Sequence, residues 1–163
     1  MIAAPQIDET LPKAELYVSL ESQLSALLAD ESDMIANLAN AAALLFHALP
    51  DVNWAGFYLL KEDELVLGPF QGRPACVRIP LGRGVCGTAA EQRSTVRVAN
   101  VDEFPGHIAC DSASRSEIVV PLADAKGELL GVLDIDSAQV GRFDSEDETG
   151  IEKLAALVAR KIG

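Results

Sequence analysis

The chain has 163 residues, 49% of them hydrophobic, which is enough for one ordinary domain with a proper buried core. Thirteen Lys and Arg stand against 25 Asp and Glu, and the net charge of −12 argues against a nucleic-acid or anionic-membrane surface, which needs clustered cations. Residues 1–10 hold Pro5, Asp8 and Glu9 with no positive flank, unlike a secretory signal; the most apolar run, 39–49, is too short to span a bilayer, so a cytoplasmic location is expected.

Residues 1–12 read as a flexible N-terminal extension of a single domain covering 1–163. From Lys13 to Ala29 the stripe Leu16, Leu20, Leu24, Leu27 and Leu28 predicts a helix. Ser32 or Asp33 can cap a second, Ala- and Leu-rich helix that runs to about Ala48 and stops before Pro50. From Asn53 the period changes to two. Residues 54–60 and 64–68 form a hairpin around Lys61-Glu62-Asp63, with Trp54, Gly56 and Tyr58 on one face and Ala55, Phe57 and Leu59 on the other. Cys76-Val77-Arg78-Ile79 is a third strand. The stretch 82–87 opens a short helix over 88–92, and 95–99 is a short strand. A long loop, 100–114, leads to strands 117–122 and 128–135, and Ser145 caps a final helix with Ile151, Leu154, Leu157, Val158 and Ile162 on its apolar face. Hairpin-linked strands with terminal helices predict an α+β fold: a mainly antiparallel sheet with the N- and C-terminal helices on one face and pocket-forming loops on the other.

Three cysteines, Cys76, Cys86 and Cys110, cannot form a static disulfide framework in such a chain. No close C-x-x-C pair is present and only His47 and His107 could add nitrogen ligands, so no metal or other cofactor is expected. What stays open is three inert thiols or a redox set. Cys110 sits in the polar loop Gly106-His107-Ile108-Ala109-Cys110-Asp111-Ser112-Ala113-Ser114-Arg115, where a thiol near cationic groups can ionise and react. Cys86 falls near a helix start, whose dipole would lower its pKa and make it a rival reactive thiol. Gly82-Arg83-Gly84-Val85-Cys86-Gly87 spells G-x-G-x-x-G with Asp102 twenty residues on, but the helix is too short and the strands pair as hairpins, so no dinucleotide site is inferred.

Residues 81–87 resemble the loop-to-helix signature of GAF domains. Trp54-Ala55-Gly56-Phe57-Tyr58, Gly68-Pro69-Phe70-Gln71-Gly72, Cys76, Cys86, Gly106 to Asp111, Ser114 to Glu117 and Leu133-Asp134-Ile135-Asp136-Ser137 together resemble the free methionine-(R)-sulfoxide reductases, a GAF-domain family, over roughly residues 16–157. The resemblance implies a thiol reductase acting on free L-methionine-(R)-sulfoxide and recycled by thioredoxin. It implies Cys110 as nucleophile, Cys76 as principal resolving cysteine and Cys86 as a second partner. It also implies Glu117, Asp134 and Asp136 as pocket carboxylates, with Trp54 and Tyr58 as an aromatic wall. A homodimer is a further expectation.

Chemistry supports such a set. Oxide is a poor leaving group, so thiolate attack on a sulfoxide requires an acid beside the nucleophile. Asp134 and Asp136 are two apart on a strand and share a face, and crowded carboxylates keep a proton to higher pH. Arg115 would lower the pKa of Cys110, hold a substrate carboxylate, or lie exposed; His107 would act as a base or be merely polar. The rival readings are a small-ligand-sensing GAF module without turnover and a redox-switch protein.

Overall fold

The computed structural model describes residues 10–108 and 111–163; most of the expected N-terminal extension, and Cys110, lie outside the described residues. Helix α1 spans Lys13–Leu28 and buries Leu16, Leu20, Leu24 and Leu28 of the stripe read from the sequence, with Leu27 partly buried. Helix α2, Met34–Ala48, is capped by Asp33, whose carboxylate accepts from the Ala36 N–H at 2.8 Å. Strands β1 (Val52–Lys61) and β2 (Glu64–Gln71) form the expected hairpin. The third strand is shorter and later than expected: β3 is Arg78–Pro80, so Cys76 stands in the loop before it. Helix α3 (Gly84–Gln92) begins inside the glycine-rich stretch, β4 is Val96–Val98, and one turn of 3-10 helix covers Val101–Glu103. Strands β5 (Ser116–Ala123) and β6 (Leu129–Ser137) precede α4, Ser145–Ile162. The α4 cap is Asp144 and not Ser145: its side chain accepts from the Glu146 and Asp147 N–H groups, and Asp147 returns the bond in a capping box.

The six strands run in the order β3-β2-β1-β6-β5-β4, every neighbouring pair antiparallel. Each face carries its own core because the strands alternate. Ala55, Phe57 and Leu59 join Ile118, Val120, Leu133 and Ile135 under α1, α2 and α4. Trp54, Tyr58, Val119 and Val132 pack with α3 and the loops on the other side. Among the described residues, no helix is long and apolar enough to cross a membrane.

The helical face is pinned by a buried ionic cluster. Asp147 is fully buried and accepts from the Tyr17 hydroxyl at 2.8 Å, Lys13 Nζ at 2.7 Å and Arg142 at 3.0 Å, tying α1 to the start of α4. With the helices clamped there, the opposite face is left for chemistry.

Candidate active site

Three carboxylates meet on that opposite face. Glu117 lies directly across from Asp136 in the β5–β6 register, and Asp134 is one step along β6, opposite Val119. On the other side of β6, Asp136 faces Trp54 and Asp134 faces Gly56 of β1. A side chain at Gly56 would not fit: its Cβ would sit 2.3 Å from Phe70 Cβ and 2.7 Å from the Trp54 ring. The Trp54 ring stacks between Phe70 (5.2 Å) and Tyr58 (6.0 Å), making a flat apolar wall beside the acids.

Helix α3 closes the far side. At Gly87 a Cβ would stand 2.4 Å from the Pro80 carbonyl, so the glycine lets the first turn of the helix press against the end of β3. That turn delivers Cys86 Sγ to within 3.9 Å of Glu117 Oε1. His107 comes in from the long loop, with Nε2 3.5 Å from Glu117 Oε2.

The electrostatics follow from burial. Glu117 and Asp134 are 5% and 6% exposed, and Asp136 is partly exposed. Burial, then mutual repulsion, holds all three carboxyls well above the ordinary range. For Asp136 the repelling charges are Asp134 and Asp111, partly offset by a hydrogen bond with Ser114. The hollow therefore favours the protonated form of its carboxyls. Cys86 follows the same rule against expectation: burial and the surrounding carboxylates push its thiol up, outweighing the helix N-terminus, so it is not an activated thiolate. His107 is pulled down by burial, only partly countered by Asp102.

The void has two lobes that share part of their lining. One of about 380 Å³ is lined by Cys86, His107, Ile108, Glu117, Asp134 and Asp136 among others; a second of about 210 Å³ adds Trp54 and Ala75 and shares Tyr58, Asp111, Asp134 and Asp136. The aromatic wall also fixes the loop that bears Cys76: Trp54 Nε1 donates to the Arg73 carbonyl at 3.1 Å, and Tyr58 donates to the Cys76 carbonyl at 2.9 Å. Cys76 is disulfide-bonded, whereas Cys86 is a free, buried thiol. Cys110 lies outside the described residues, but Ile108 and Asp111 on either side of it line the hollow.

Sequence reasoning missed how that loop is held. Asp111 accepts from Asn53 Nδ2 at 3.3 Å and pairs with Arg73 at 3.6 Å, while Asn53 also donates to Ser114 Oγ at 3.1 Å. A polar residue beside a loop cysteine was the only local signal. Arg115, for which an exposed position was one expectation, is exposed and reaches Asp102 on the surface at 3.7 Å.

The comparisons agree with this architecture. The GAF domain family matches residues 23–162. A free methionine-R-sulfoxide reductase of Escherichia coli (strain K12) is 57% identical over 148 residues, 91% of this chain and 89% of that protein. One from Saccharomyces cerevisiae is 44% identical over 155 residues, covering 91% of this chain and 86% of its own length. The X-ray structure of free methionine-R-sulfoxide reductase from Neisseria meningitidis in complex with its substrate superposes with a TM-score of 0.94 at 48% identity, over 99% of this chain and 96% of that one.

Proposed function

The chain belongs to the free methionine-R-sulfoxide reductases of the GAF domain family, and from that premise we propose that it reduces free L-methionine-(R)-sulfoxide with Cys110 as nucleophile and Cys76 as resolving thiol. The observation that carries the reading is the cluster of buried Glu117 and Asp134 with partly exposed Asp136 lining one hollow, beside an oxidised Cys76 and a free Cys86.

The Cys110 thiolate attacks the sulfoxide sulfur while a carboxyl of Glu117, Asp134 or Asp136 gives its proton to the oxygen. The oxygen ends on Cys110 as sulfenic acid, the substrate sulfur keeps an electron pair, and methionine departs. The Cys76 sulfur then attacks Cys110, forming the disulfide and expelling water. A dithiol such as thioredoxin returns two electrons and two protons by exchange. Trp54 and Tyr58 would flank the S-methyl end, where sulfur–aromatic contact is worth roughly 0.3–1.5 kcal/mol. Cys86, its thiol held protonated, takes second place as an alternative resolving thiol. A cytoplasmic location and a homodimer complete the proposal.

The test is to incubate the protein with dithiothreitol and each epimer of methionine sulfoxide, free and peptide-bound, and to assay methionine. Release from the free R epimer alone is expected. Binding without release would leave a sensing module, and an oxidation-dependent change of partner without release would leave a redox switch.

A further inference from the structure

The absence of C-x-x-C pairs excludes a zinc-finger framework, but the fold assembles a different kind of donor set from three separate elements. We propose that the hollow is also a binding site for one thiophilic divalent cation, of the Zn²⁺, Co²⁺ and Cd²⁺ class, held by Cys86 of α3, Glu117 of β5 and Asp134 of β6.

Each of these buried residues offers one ligand atom, and the three atoms lie within 4.8 Å of one another. In a tetrahedral zinc site, metal–sulfur and metal–oxygen bonds of about 2.3 and 2.1 Å put sulfur and oxygen roughly 3.6 Å apart. Cys86 Sγ already stands 3.9 Å from Glu117 Oε1, so the sulfur and that oxygen need close by only a few tenths of an ångström. A second observation, at one oxygen of Asp134, points to a ligand. Asp134 Oδ1 is buried without a hydrogen-bond partner among the described residues, on a side chain only 6% exposed that lines both lobes of the cavity. A buried polar oxygen left without a partner is costly, and a cation would satisfy it.

The donor chemistry selects the metal. Binding releases the donors' protons to solvent, and the resulting thiolate with two carboxylates favours borderline and soft cations over Mg²⁺ or Ca²⁺, which want oxygen alone. All three donors stand on regular elements, so little has to be ordered. The fourth position opens toward the cavity, where His107 Nε2, 3.5 Å from Glu117 Oε2, could close it. A cation there occupies the carboxylates that the proposed chemistry uses to protonate the sulfoxide oxygen. Competitive inhibition of the reductase therefore follows, and that clause alone rests on the proposed function.

The experiment uses the intact chain with Cys76 oxidised and one free thiol by titration, so that Cys86 is the only sulfur ligand on offer. Adding Co²⁺ should produce a thiolate-to-cobalt charge-transfer band saturating at one equivalent and displaced by Zn²⁺ or Cd²⁺. Cys86→Ser should abolish the band, and Asp134→Asn and Glu117→Gln should each weaken affinity by at least about tenfold, the loss seen even for outer-shell partners. Circular dichroism checks that each variant is folded. No band with excess cobalt, a band that persists in Cys86→Ser, or wild-type affinity in Asp134→Asn overturns the site. In a second arm, zinc inhibition of methionine formation should be relieved by raising free methionine sulfoxide. If the band behaves as expected but no methionine is ever formed, the cation site stands and the reductase reading falls.

Discussion

Glu117 and Asp136 face each other across β5 and β6, two carboxylates directly opposite at the heart of a sheet. Like charges in that relation destabilise a sheet, and burial adds to the cost. Burial and repulsion raise both carboxyls, which favours holding the proton that an acid catalyst for sulfoxide reduction requires. The electrostatically costly pairing in the sheet is thus the one suited to the reaction.

That relation fixes the sign of a pH effect. A carboxyl whose folded pKa is raised binds more protons in the folded than in the unfolded chain, so it costs stability as pH rises from the unfolded value of about 4 toward the folded one. Asp134→Asn should therefore raise Tm at neutral pH and leave it nearly unchanged at about pH 3, where the carboxyl is protonated in both states. Reductase activity in the same variant should fall, by roughly 10²–10⁴-fold if Asp134 is the proton donor. Scanning calorimetry at both pH values checks the stability claim; a lower Tm at neutral pH would contradict it.

The two cysteines separate by single-turnover chemistry. With reduced protein and one equivalent of free methionine-(R)-sulfoxide, Cys110→Ser should form no methionine. Cys76→Ser should form about one equivalent and leave a sulfenic acid that a dimedone-type probe traps. Equal loss in both variants would remove the assigned division of labour. Cys86→Ser should keep both the first turnover and the disulfide.

Much of this was legible because it is local. Alternation alone placed Trp54, Gly56 and Tyr58 opposite Ala55, Phe57 and Leu59, and the sheet buries the two sets in separate cores. The pairing of Asp134 with Asp136 on one face followed from the same period. What could not be read depends on residues far apart in the chain. The Cys86 thiol was expected to be activated by its helix, but Glu117, 31 residues on, brings a carboxylate against it. Asp111 is held by Asn53, 58 positions earlier, a contact no local pattern carries. At α4 two adjacent capping residues competed, and Asp144 won because Asp147 reciprocates. Strand β3 starts after Cys76 because its register with β2 runs over residues 78–80, preceded by one bond in which the Val77 carbonyl accepts from the Leu67 N–H at 2.9 Å.

Gly56 links stability to the aromatic wall. An added methyl would lie 2.3 Å from Phe70 Cβ and 2.8 Å from Phe70 Cα, backbone that cannot step aside without moving β2. Gly56→Ala should cost about 1–3 kcal/mol, the usual range for overpacking. Because the same methyl crowds the Trp54 ring at 2.7 Å, KM for the sulfoxide should rise more than kcat falls. Denaturant unfolding and steady-state kinetics read the two effects; an unchanged KM would detach the ring from substrate binding.

The ionic cluster under the helices gives a prediction remote from the hollow. Asp147 is fully buried and, besides the Asp144 N–H, answers three side-chain donors: Lys13 and Tyr17 of α1, and Arg142 just before α4. Lys13 also pairs with Asp144, whose carboxyl that partner and neighbouring N–H groups pull down to about 2, so this half-exposed contact persists when Asp147 is removed. Arg142, whose side chain is only 7% exposed, then stands as a buried cation without its carboxylate. Removing one partner of a buried pair costs about 3–5 kcal/mol, so Asp147→Ala should lower Tm by roughly 6–20 °C in a chain of this size. Replacing Arg142 by Met as well should recover part of the loss, because no unpaired buried cation remains. Calorimetry on the single and double variants decides it: a double variant less stable than Asp147→Ala would show that Arg142 stabilises the fold through something other than this charge pair.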